Sequence, residues 1–75
     1  HWHIQSNRLS RTFTFKTFLQ AIAFVNTVAQ YAETQQHHPD IEIHYTTVTV
    51  HYWTHHAGGI TAQDVEAARS LPNTP

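Results

Sequence analysis

The chain has no cysteine and no methionine, and only two glycines and three prolines among 75 residues. Without cysteine there is no disulfide framework, no thiol nucleophile and no cysteine-ligated zinc site. That usage is consistent with a reducing compartment, and a cytoplasmic location is expected. No apolar run approaches the roughly 18 residues that a membrane-spanning helix needs, so no contact with a membrane is expected. No signal peptide is evident. Charge is also scarce. The four basic residues, Arg8, Arg11, Lys16 and Arg69, are scattered, and the formal net charge is −1 with histidine neutral. No basic patch remains to hold phosphates, so direct nucleic-acid binding is not expected. A chain of this length forms one small domain that buries little core alone, and association with further copies is expected. Because it opens on His1 and holds no methionine, a truncated N-terminus is expected.

What the chain has instead is histidine, eight in all. Imidazole is the side chain whose ordinary pKa lies near neutrality, so it suits proton transfer at physiological pH. Each histidine adds one charge when protonated, so mild acid takes the formal charge from −1 to +7. Charge state, and assembly with it, should respond.

Alternation of apolar and polar residues predicts strands at Trp2 to Ser6 and Leu9 to Phe15, turning at Asn7-Arg8. Thr17 with Gln20 reads as a capping box that opens a helix from Phe18 to about Gln36. On that helix Phe18, Ala21, Ile22, Phe24, Val25, Val28, Ala29, Tyr31 and Ala32 cover about half the circumference, wider than one packed face requires. The helix should therefore pack on a sheet with one side and on another subunit with the other. Pro39 ends it and pushes His38 into an extended conformation. Two more strands follow, Ile41 to Tyr45 and Val48 to His55, the second with Thr49, His51, Trp53 and His55 on one face. Ala57-Gly58-Gly59 reads as a turn, Thr61 as the cap of a last helix from Ala62 to about Ser70, and Leu71 to Pro75 as an irregular tail. The order β-β-α-β-β-α predicts an α+β domain: a four-stranded antiparallel sheet with helices on one face.

The proton-handling residues fall in a fixed pattern: Glu33-x3-His37-His38-Pro39-x5-Tyr45-x9-His55-x8-Asp64. Alone, His37-His38-Pro39 is also what a polar helix end looks like, since protonated histidine suits the negative end of the helix dipole. Asp64 suits the first turn of a helix for the mirror-image reason. Glu33 lies one turn before His37, within reach to orient its ring.

The whole pattern resembles that of the pterin-4a-carbinolamine dehydratases. The resemblance extends through Arg11-Thr12-Phe13-Thr14-Phe15, Phe18, Ala21, Phe24, Val28-Ala29 and Ala32 upstream, and through Thr54, Gly59-Ile60-Thr61 downstream. It implies the same α+β fold, with a further helix before Trp2, and homodimers or homotetramers built from sheet edges and long helices. It implies dehydration of a 4a-hydroxytetrahydropterin to a quinonoid dihydropterin in tetrahydrobiopterin recycling, with no metal and no cofactor. It assigns catalysis to His37, His38 and His55, with Glu33, Pro39, Thr54 and Asp64 supporting the site or binding substrate. In that assignment His37 and His55 exchange protons, His38 binds and polarises substrate, and Asp64 supports the active-site loop rather than acting as an acid. The chain departs from the family at Ile41, where an aromatic residue is common, and at Tyr52-Trp53, where smaller residues are common. Two rivals stand beside this reading. One is a non-catalytic dimerisation or assembly factor on the same fold, of the transcriptional coactivator or Rubisco assembly type, which would admit a nuclear location. The other is a metal-binding module, suggested by the histidine count but lacking any compact ligand motif.

Overall fold

The computed structural model describes residues 2–71. Its elements are β1 (His3–Gln5), β2 (Arg8–Thr14), α1 (Phe18–Gln35), β3 (Asp40–His44), β4 (Thr47–Tyr52), a 3-10 turn (His55–Ala57) and α2 (Ala62–Ser70). The four strands form one antiparallel sheet in the order β1-β2-β4-β3, so β4 is central although it comes last.

Local chemistry explains most boundaries. The first hairpin turns at Ser6-Asn7, one residue earlier than expected. Both residues have positive φ, 52° and 61°. Two left-handed residues in a two-residue loop match the twist of the flanking strands, and Asn tolerates that conformation well. Arg8 instead pairs with Gln5 as the first residue of β2. At the start of α1 the Gln20 N–H donates to the Thr17 hydroxyl at 3.1 Å. The return bond of the expected capping box is displaced, because Lys16 N–H rather than Thr17 N–H donates to the Gln20 side chain.

One face of the sheet carries Phe13, Phe15, Val48, Val50 and Tyr52 into the core. Ala21, Phe24, Val28 and Ala32 of α1 are buried, three or four residues apart along one stripe. The Phe24 ring lies 4.5 Å from Phe13 and 5.1 Å from Phe15. Ala67 and Leu71 add the contribution of α2. Leu71 lies in irregular backbone past α2, as expected, and is buried; residues 72–75 lie outside the described residues. The rest of the apolar arc of α1 is less covered: Phe18 and Ala29 are exposed, and Ile22, Val25 and Tyr31 are half-buried.

The opposite face is polar. The Thr12 and Thr49 hydroxyls meet at 3.0 Å. His51, nearly fully buried, donates from Nε2 to Glu42 Oε2 at 2.7 Å and meets the Ser10 hydroxyl through Nδ1 at 2.6 Å. The His51 bond, followed by that of His44, holds the Glu42 carboxyl below its ordinary value.

The strand β4 is shorter than expected. It ends at Tyr52, not His55, because Thr54 N–H donates to Gly59 O at 2.8 Å and the chain curls between them. Gly58 closes the curl at φ 71°, a conformation that favours glycine. His55 therefore leaves the strand face that it was expected to share with His51.

Tyr52 provides a test of this packing. Its hydroxyl is buried and has no hydrogen-bond partner among the described residues. Burial, then the charges of Tyr31 and Asp64, pushes it up to about 12. Tyr52→Phe removes the desolvated hydroxyl and keeps the ring, so stability should stay level or rise by about 1 kcal/mol. Urea denaturation measures this, and a clear loss of stability would mean that the hydroxyl has a partner.

Candidate active site

Three chain segments meet at the C-terminal ends of α1 and β4. The first begins where α1 ends. Gln36 is left-handed (φ 52°, ψ 41°), and the His37 N–H closes the helix end on Ala32 O at 3.1 Å. That reversal, followed by the extension that Pro39 requires of His38, sends the two imidazoles to different sides. His37 is buried and His38 is exposed.

Asp64 receives His37. Its side chain is fully buried, and both oxygens are occupied. Oδ1 accepts from His37 Nε2 at 2.5 Å. Oδ2 accepts from the Thr61 N–H and the Thr54 hydroxyl, both at 2.8 Å, with the Thr61 hydroxyl at 3.3 Å. Asp64 is the third residue of α2, so with Thr61 it forms a capping box at the helix start. Burial works to raise its pKa, but the bonds from Thr61, His37 and Thr54 outweigh it, and the carboxyl sits below its ordinary value. A carboxylate can only accept, so the bonded nitrogen of His37 carries a proton and Nδ1 is the ring nitrogen left for chemistry. The ring also lies against Tyr52, 5.7 Å between centroids and 13° from parallel.

Glu33 was expected to orient His37; it holds His38 instead, accepting from Nε2 at 2.5 Å. The turn at Gln36 is the reason, since it swings His37 inward and brings His38 back over the last helical turn. Thr54 precedes the 3-10 turn, and its hydroxyl is bound to Asp64, so the position of His55 is tied to the same carboxylate. His37, His38, Thr54 and His55 all line one open cleft of about 420 Å³, joined by Gln36, Trp53, His56 and Gln63. Asp64 and Glu33 stand behind it as supports, and Pro39 fixes the turn without lining it.

Trp53 was expected mainly as a sheet-packing residue and was not placed among the site residues. It walls the cleft and stacks on His55 at 4.0 Å and 21°. Its place immediately before Thr54-His55 was the available signal. Among the described residues no group of three or more His, Asp or Glu side chains is arranged to hold a metal ion. Among the described residues no helix is long and apolar enough to cross a membrane.

The depressed Asp64 pKa makes a pH prediction. A carboxyl held lower in the folded state stabilises the fold fully above its unfolded value. That contribution is lost as pH falls through the lower folded value. Asp64→Asn should therefore cost roughly 1–3 kcal/mol near neutral pH. It should also flatten the loss of stability of the parent protein below about pH 4. Denaturation curves across that range measure both effects; an unchanged acid limb would show that Asp64 is not the titrating group.

The model of the pterin 4 alpha carbinolamine dehydratase family matches residues 1–73. A protein of Thermomicrobium roseum named as a candidate pterin-4-alpha-carbinolamine dehydratase is 51% identical over 70 residues, covering 93% of this chain and 75% of that one. A similarly named protein of Gloeobacter violaceus is 56% identical over 63 residues, covering 84% of this chain and 68% of that one. The crystal structure of a transcriptional coactivator/pterin dehydratase from Brucella melitensis superposes with a TM-score of 0.87 at 35% identity, covering 93% of this chain and 77% of that one. This chain belongs to the pterin 4 alpha carbinolamine dehydratase family.

Proposed function

We propose that the chain dehydrates a 4a-hydroxytetrahydropterin to the quinonoid dihydropterin and water by histidine acid–base catalysis. The observation that carries this reading is the convergence of His37, His38 and His55 on one open cleft, the first two each bound through Nε2 to a carboxylate. In the reaction the C4a–O bond breaks and the hydroxyl leaves as water with a proton from an acid. The N5 proton passes to a base, and a C=N bond forms between C4a and N5. No electron is gained or lost overall, and one proton enters the site as another leaves. Two imidazoles are enough to manage that exchange near neutral pH.

His37 and His55 are assigned the exchange. His37 offers Nδ1 because Asp64 occupies Nε2, and the buried carboxylate stabilises the imidazolium whenever it forms. His38, exposed and braced by Glu33, is assigned substrate binding and polarisation. Thr54 positions the His55 turn, and Pro39 fixes the conformation of His38. The reaction needs no redox cofactor. We assign it to tetrahydrobiopterin recycling in the cytoplasm, by a homodimer or homotetramer that covers the exposed apolar arc of α1. The same arc, with Phe18 and Ala29 exposed, also favours a second reading as a protein-docking surface on a chain of coactivator type.

Stopped-flow measurement of 4a-hydroxytetrahydropterin dehydration tests the proposal. Each of His37→Ala and His55→Ala should lower turnover by about 10²–10⁴-fold, the usual range for a lost acid or base, while chelator leaves the parent rate unchanged. An intact protein that does not accelerate dehydration would favour the docking reading. Full activity in both variants would remove the histidine assignment.

A further inference from the structure

The three histidines of the cleft are held in two different ways. His37 and His38 each commit Nε2 to a carboxylate. For His55, no side chain among the described residues hydrogen-bonds its ring. What meets the ring is the Trp53 indole, stacked at 4.0 Å and 21° from parallel. Residues two apart on a regular strand lie roughly 6–7 Å from one another, too far for such a stack. The contact exists because β4 stops at Tyr52 and the chain curls from Thr54 into the 3-10 turn.

The indole is itself fixed. Its Nε1–H donates to Asp40 Oδ2 at 3.1 Å, and Arg8 Nη1 lies 3.6 Å from the same oxygen. Trp53 is thus anchored at one edge by β3 and offers a half-buried face to an exposed imidazole. A stack restrains the plane of a ring without occupying either nitrogen. A residue that must both receive and return a proton gains from that freedom, because Nδ1 and Nε2 both stay available. An aromatic face also attracts a cation, so the ring keeps its platform when protonated.

We infer that Trp53 is the positioning residue for His55, holding its imidazole plane against the cleft while leaving both ring nitrogens free. The inference rests on the acid–base reading above, but the stack can be tested without it. Trp53→Leu keeps an apolar wall and removes the aromatic face; Trp53→Phe keeps a face. The His55 ring protons, assigned by their absence from the NMR spectrum of His55→Ala, should lie upfield in the parent protein and move downfield in Trp53→Leu. In the dehydration assay Trp53→Leu should lose about ten-fold in kcat with KM within about two-fold, and Trp53→Phe should recover most of that loss. Ring protons that do not move would overturn the stack. Parent-level kcat in Trp53→Leu, with the ring protons moved, would overturn the positioning role. Parent-level turnover in His55→Ala would instead overturn the acid–base reading, and the positioning role with it, while the ring shift still reports the stack.

Discussion

One buried carboxylate holds both His37 and the turn that carries His55. Asp64 is a charge without solvent, a state that is tolerated only when the charge is hydrogen-bonded and paired. Its four bonded partners come from three places: the residue after the α1 cap, the end of β4, and the start of α2. Each of these is the end of a helix or strand, where polar groups would otherwise be left unsatisfied. The interaction that caps α2 is therefore the same one that sets His37 and the Thr54-His55 turn beside each other. One oxygen serves the helix start and the other serves the imidazole.

The sheet contributes through the pleat at the end of β4. Tyr52 and Trp53 are consecutive, so their side chains leave opposite faces of the strand. Tyr52 enters the core and lies against His37; Trp53 lies on the polar side and stacks on His55. Each of the two histidines assigned to proton transfer thus rests on an aromatic ring, one inside the fold and one at its edge. The third, His38, stays exposed with Glu33 behind it. The gradient from buried His37 to exposed His38 suits a division between proton transfer and substrate contact.

Much of this was legible in the sequence because it is local. The order of elements follows from hydrophobic period, the start of α1 from Thr17 and Gln20, and the break after it from Pro39. Asp64 at the third position of a helix that opens with Thr61 is a pattern readable over four residues. What the sequence did not reveal depends on contacts between distant segments. The end of β4 is set by a bridge from Thr54 to Gly59 that alternation cannot register. Glu33 has His37 one turn away on an ideal helix, but the left-handed Gln36 gives it His38. Ser10, Glu42 and His51 form a chain across three strands, and periodicity alone could not foresee a buried histidine on the polar face. The strand order, with β4 inside β3, likewise follows from the pairing of whole segments.

Asp64 holds the Nε2–H of His37, which leaves Nδ1 as the nitrogen assigned to proton exchange. Long-range proton–nitrogen NMR of the imidazole rings tests it most directly, because it identifies which nitrogen carries the proton as pH is varied. His37 Nε2 is expected to stay protonated as pH is varied, with any proton gained or lost at Nδ1. A His37 ring that titrates at Nε2, with its proton held on Nδ1, would contradict the account.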